Sequence, residues 1–98
     1  MKFHSLLLRR SRDSLHHRYR HIALLAKGKQ IFAVATNSPG HHAEINALVK
    51  AGSCSKGATL YTLMTRASDG SVGNGSPCPC CMEALSQAKV KRVVVYLE

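Results

Sequence analysis

The chain has 98 residues, a length that holds one domain with one modest core and needs no disulfides. Its 45% apolar content excludes a disordered chain, and no apolar run nears the roughly 18 residues that span a bilayer, which excludes a membrane partner. The formal charge is +9, and residues 1–30 carry Lys2, Arg9, Arg10, Arg12, Arg18, Arg20, Lys27 and Lys29 against Asp13 alone. Such a field favours anions, whether nucleotide phosphates, nucleic acid or an acidic surface, and also fits a solvated basic face.

Arginines follow the short apolar patch of "MKFHSLLLRRSR", where a signal peptide needs a long apolar region, so the sequence reads as intracellular and cytoplasmic. Thiols stay reduced in that compartment, and clustered cysteines there read as metal ligands or catalytic groups. Residues 5–21 form a basic helix with a ragged apolar face. Residues 22–37 hold two apolar runs around "KGKQ", a β-hairpin with Gly28 in the turn. A second helix over 42–52 places Ile45, Leu48 and Val49 on one face and stops at Gly52. Strand 58–65, a glycine-rich loop over 66–76, a helix over 78–89 and an apolar strand at 92–97 complete the order α-β-β-α-β-α-β. The last two strands flank a helix, so they should run parallel, and the final one reads as buried on both faces. The expected fold is α/β, with a mixed four-stranded sheet covered by helices.

The densest chemistry lies in "SPCPCCMEAL". Cys78 and Cys81 stand three apart at a helix start, so both sulfurs point to one side of the first turn. The positive end of the helix favours the thiolates that zinc needs, and Pro77 and Pro79 stiffen the entry. Zinc wants four ligands. The missing half is "HHAEIN": His42 opens the other long helix, and Glu44 follows two residues later. Three protein ligands with an open position make a catalytic rather than a structural zinc. H-x-E followed by P-C-x-x-C is the signature of zinc deaminases acting on nucleobases.

The chain therefore resembles the cytidine/deoxycytidylate deaminase superfamily, through "HAEINAL", "SPCPCCMEAL…VKRVVVY" and "FAVATN", from about Arg20 onward. The resemblance implies a three-layer α/β/α fold in a single domain over 1–98, with a basic N-terminal helix at 1–20 and a zinc-binding catalytic core at 22–98. It implies one Zn2+ per chain on His42, Cys78 and Cys81, with Glu44 carrying protons. Asn37 would touch the sugar or base of the substrate, with Ser76 and Pro77 beside it. Most members continue past the last strand, whereas this sequence is truncated at Glu98, which predicts a homo-oligomer whose neighbour closes the pocket. An unprotected sheet edge points the same way.

Other residues carry blander readings. His41 is a loop histidine; His16, His17 and His21 lie solvated in the basic helix. Cys80 faces away from the ligands as a small core residue, and a shifted pairing fails because position 83 is Glu83. Cys54 is an ordinary thiol, and Phe32 and Tyr96 belong to the core. Three functions remain open. The first is hydrolytic deamination of cytosine in a nucleoside or nucleotide, with deoxycytidylate favoured. The second is deamination of cytosine, or of tRNA adenosine, in single-stranded DNA or RNA. The third is a basic binding module with a structural zinc, against which Glu44 argues.

Overall fold

The computed structural model describes residues 3–11, 19–37, 42–73 and 76–96. Its centre is β1 (Tyr19–Lys27), where Ile22, Ala23, Leu24, Leu25 and Ala26 form an unbroken buried run. A run buried on both faces demands a cover on each, and successive side chains go to opposite sides. Ala23 and Leu25 pack with Ala35, Ala43, Ala47, Ala58, Leu60 and Leu85. Ile22, Leu24 and Ala26 pack with Phe3, Leu7, Leu63 and Tyr96. The helices α2 (Ala43–Ala51) and α3 (Pro79–Gln87) thus cover one face, and α1 (His4–Arg10) covers the other. These are the three layers expected.

β1 pairs antiparallel with β2 (Gln30–Thr36) and with β3 (Thr59–Arg66). The hairpin turns at Gly28, whose φ of 58° is a left-handed value that suits glycine at the first loop position. β5 (Arg92–Val95) pairs parallel with the first half of β3, as the βαβ reading requires. A fifth strand, β4 (Val72–Gly73), pairs with Met64 and Thr65 in the second half of β3. The sheet is mixed with five strands rather than four, because a two-residue strand inside a glycine-rich loop carries no periodicity. Gly73 runs so near Met64 that a Cβ there would lie 2.6 Å from Met64 Cε.

Four expectations need correction. The first helix ends at Arg10, and Tyr19, Arg20 and His21 belong to β1, while residues 12–18, with His16 and His17, lie outside the described residues. The helical reading of 19–21 failed because Tyr19 is the one hydrophobic residue in "RYRH", too little to show the strand's alternation. β5 lies at the sheet edge, so Val93, Val94 and Val95 are half-buried, although Val93 packs against the α2 and α3 side and Val94 against the α1 side. The buried face of α2 is Ala43, Glu44 and Ala47, while Ile45 and Leu48 are half-buried and Val49 is 78% exposed. Small residues let this helix sit close to the sheet, and large ones flank the contact. Finally, the outer edge of β2 is partly covered: Asn46 Nδ2 donates to the Thr36 carbonyl at 2.9 Å and Lys50 Nζ to the Val34 carbonyl at 3.1 Å. Occupied carbonyls make that edge a poorer template for another strand. Phe32 is half-buried and packs against the α2 side, and Tyr96 is buried, both as expected.

The small-residue contact is testable by urea unfolding. Ala47→Leu forces extra methylenes between α2 and the sheet and should cost about 1–3 kcal/mol. Val49→Ala, on the exposed side, should change stability by no more than about 0.5 kcal/mol. Equal effects would contradict the assignment of the buried face.

Candidate metal centre

Two helix starts meet at one place. His42 is the N-cap of α2 and Cys78 the N-cap of α3, each with extended backbone, and Pro79 occupies the first turn of α3. The Asn46 N–H donates to the His42 carbonyl at 3.1 Å and the Met82 N–H to the Cys78 carbonyl at 2.9 Å, so the residue that starts each helix is also a member of the candidate ligand cluster. Cys81 follows one turn inside α3 and is buried; Leu85, four residues on, continues its stripe into the core. Cys80 therefore falls outside the stripe and is exposed, which corrects its reading as a core residue. Cys54 is exposed as well.

One nitrogen of His42 and the sulfurs of Cys78 and Cys81 lie within 4.8 Å of one another. Tetrahedral zinc with bonds of about 2.0–2.3 Å needs its ligand atoms about 3.5–3.8 Å apart. A contraction of about 1 Å closes the set around a cation. One imidazole and two thiols form a donor set that suits zinc. His42 is exposed and Cys78 half-buried, while Cys81 is buried.

The two thiols sit in different fields. The Cys81 backbone N–H, then the Cys81 thiol, hold the Cys78 thiol below its ordinary value. The Cys80 backbone N–H adds to the effect, so the lowering comes from the first turn of α3. Burial, followed by the Cys78 hydrogen bond and the Glu44 charge, pushes Cys81 up to about 12. A divalent cation reverses that balance by taking the sulfur as thiolate.

Glu44 is fully buried with the Cys81 thiol against it, and among the described residues neither carboxylate oxygen has a well-formed hydrogen bond. His21 Nδ1 lies 3.2 Å from Glu44 Oε1, within reach of an ion pair but off the line of a formed hydrogen bond. His21 Nε2 contacts Thr62 Oγ1. The sequence reading placed His21 in a solvated helix; its side chain is 13% exposed and belongs to the site. The available signal was alternation, since His21, Ala23 and Leu25 share one face of β1.

Asn37 reaches the same neighbourhood with its amide engaged. Its Oδ1 accepts the His21 backbone N–H, its Nδ2 donates to the Tyr19 carbonyl, and its own N–H donates to the His21 carbonyl, each at 3.0 Å. Ser76 is exposed and Pro77 half-buried, immediately before the Cys78 cap. His41 lies outside the described residues.

The fold is thus an α/β sheet with both long helices on one face, and an imidazole and two thiols of a zinc-type donor set meet at the helix starts. Residues 9–97 match the sequence model of the cytidine and deoxycytidylate deaminase zinc-binding region, and the chain belongs to that family. Among solved structures it is similar to Acinetobacter baumannii RibD in two forms. Form 2 has 30% identity and a TM-score of 0.62, covering 92% of this chain and 25% of that one. Form 1 has 31% identity and the same TM-score of 0.62, covering 92% and 24%. The chain thus spans about a quarter of the length of these matches. No curated protein gives a significant match. No helix among the described residues is long and apolar enough to cross a membrane.

Elemental analysis tests the donor set. The purified chain should hold about one zinc, and Cys78→Ser or Cys81→Ser should lose most of it together with thermal stability, because binding energy at such a site is partly folding energy. Cys80→Ser should keep both. Full zinc in the Cys78 and Cys81 variants would overturn the assignment.

Proposed function

We propose that this chain catalyses the hydrolytic deamination of a cytosine nucleoside or nucleotide, with deoxycytidylate the favoured substrate. One observation carries the reading: a fully buried carboxylate without a hydrogen-bond partner stands two residues from a zinc-type ligand. A structural zinc site has no use for such a group, whereas a hydrolytic deaminase needs a proton carrier beside its metal.

Zinc held by His42, Cys78 and Cys81 would supply a Lewis acid that brings the pKa of water down towards neutrality. Glu44 does the proton work. It takes a proton from water as oxygen adds at C4 and delivers it to the ring nitrogen N3. It then moves a second proton from the new hydroxyl to the amine, so that ammonia leaves and uracil remains. The balance is cytosine plus water giving uracil plus ammonia. In this reading Ser76 and Pro77, on the way into α3, would meet the base, and Asn37, at the end of β2, would meet the sugar or base.

The net charge of +9 supports a second reading, in which the cytosine or adenosine sits in single-stranded nucleic acid. The described arginines of the basic segment give this reading less support. Arg9 and Arg10 are in α1, and Arg20 lines a cavity of about 150 Å³ with Leu8, Ser11, Thr65 and Gly70, on the layer opposite the metal ligands. A free nucleotide needs one or two cations and fits this distribution better.

An ammonia-release panel of cytidine, deoxycytidine, their monophosphates, adenosine and oligonucleotides separates the readings. Deoxycytidylate should be turned over fastest. Glu44→Ala should retain zinc and fold while losing activity by about 10²–10⁴-fold, the usual contribution of a positioned proton carrier. A variant that keeps a tenth of the wild-type rate would contradict the chemistry. Oligonucleotide turnover that falls steeply with salt would favour the second reading.

A further inference from the structure

Glu44 is buried at the first turn of α2, and nothing on its own helix orients it: both oxygens are without a hydrogen-bond partner. The Cys81 thiol of α3 lies against it on one side, and a second polar group comes from across the layer. His21 on β1 brings Nδ1 to 3.2 Å from Oε1. On the opposite side of the same ring, Nε2 meets the hydroxyl of Thr62, itself fully buried on β3. The backbone of His21 is clamped as well, by the Asn37 side chain and main chain. An imidazole in contact at Nε2 and fixed at its main chain is an anchored arm, with Nδ1 left facing the carboxylate.

We propose that His21 is a positioning residue for Glu44: the Thr62 hydroxyl fixes the ring, and the ring presents an Nδ1–H that turns the carboxylate towards the metal ligands. The chemistry requires this division. A neutral imidazole has one N–H donor and one acceptor, and an ionised carboxylate only accepts, so the proton belongs on Nδ1. Thr62 can donate its hydroxyl to the bare Nε2, which selects that tautomer. Contacts of this kind are long before substrate arrives and tighten in the reacting complex, consistent with 3.2 Å and imperfect alignment here. His21 does not touch the reacting atoms; it acts through Glu44. The assignment rests on the deaminase reading of Glu44 and adds a residue to it.

Two amide substitutions separate positioning from mere filling. His21→Asn puts an amide nitrogen near the place of Nδ1, facing Glu44, whereas His21→Gln puts one near the place of Nε2, facing Thr62. Zinc-loaded variants are assayed with deoxycytidylate, with zinc content measured on the same samples. His21→Gln should lower kcat by about 10–100-fold, as loss of an orienting partner does, with KM and zinc content unchanged. His21→Asn should recover most of that loss. Equal rates for the two variants, an effect confined to KM, or zinc lost in proportion to activity would overturn the proposal. A second readout needs no turnover. In the ¹⁵N spectrum of the zinc-loaded wild-type chain, Nδ1 of His21 should carry the proton, and its signal should move in Glu44→Ala. A bare Nδ1, or a signal indifferent to Glu44, would overturn it equally. A wild-type chain inert towards deoxycytidylate would count against the deaminase reading alone, and the nitrogen spectrum would then decide the role of His21.

Discussion

A carboxylate buried at 0% exposure is the constraint on which the structure turns. Removing an ionised group from water costs several kcal/mol unless a positive partner stands beside it. The chain sets Glu44 beside a cluster of zinc-type ligands, whose cation would supply the positive charge, and beside the polar ring of His21. Everything around it serves closeness. Ala43 and Ala47 flank Glu44 on the buried side of α2, and residues this small let the helix lie against β1 and β2 with the carboxylate in the gap. A bulkier face would have moved Glu44 away from the β1 side chain that faces it.

The ligand cluster follows from where two helices begin. α2 starts after β2 and α3 after β4, and both lie on one face of the sheet. An N-cap residue stands just outside the helix with its side chain at the helix start, so His42 and Cys78 arrive together without a dedicated loop. The same N–H dipoles that begin α3 lower the Cys78 thiol, while burial raises Cys81. Cys78 gives up its proton more easily than Cys81, and a bound cation would take both sulfurs as thiolates.

The metal ligands and Glu44 were legible in the sequence because their spacing is local: H-x-E and C-x-x-C each lie within one helical turn and carry the geometry with them. The parallel pairing of β3 with β5 was legible for a similar reason, since one helix separates two apolar runs. What could not be read depends on partners far along the chain. His21 meets Thr62 across 41 positions, and its histidine-rich, arginine-rich surroundings masked the strand that begins there. The buried face of α2 was misassigned because periodicity ranks Ile45, Leu48 and Val49 by hydrophobicity, whereas the contact selects for small size. β4 was too short to show any pattern, and it was the pairing with Met64 that revealed it.

The family match and the RibD likeness agree with a fold and site built from the residues upward, over a chain a quarter as long as those structures. The central claim is that three protein ligands hold zinc with one position left for water. X-ray absorption at the zinc edge of the loaded chain tests it most directly. The account predicts two sulfur neighbours at about 2.3 Å and two nitrogen or oxygen neighbours at about 2.0–2.1 Å. Three or four sulfurs, drawn from Cys54 or Cys80, or a shell without sulfur, would contradict it.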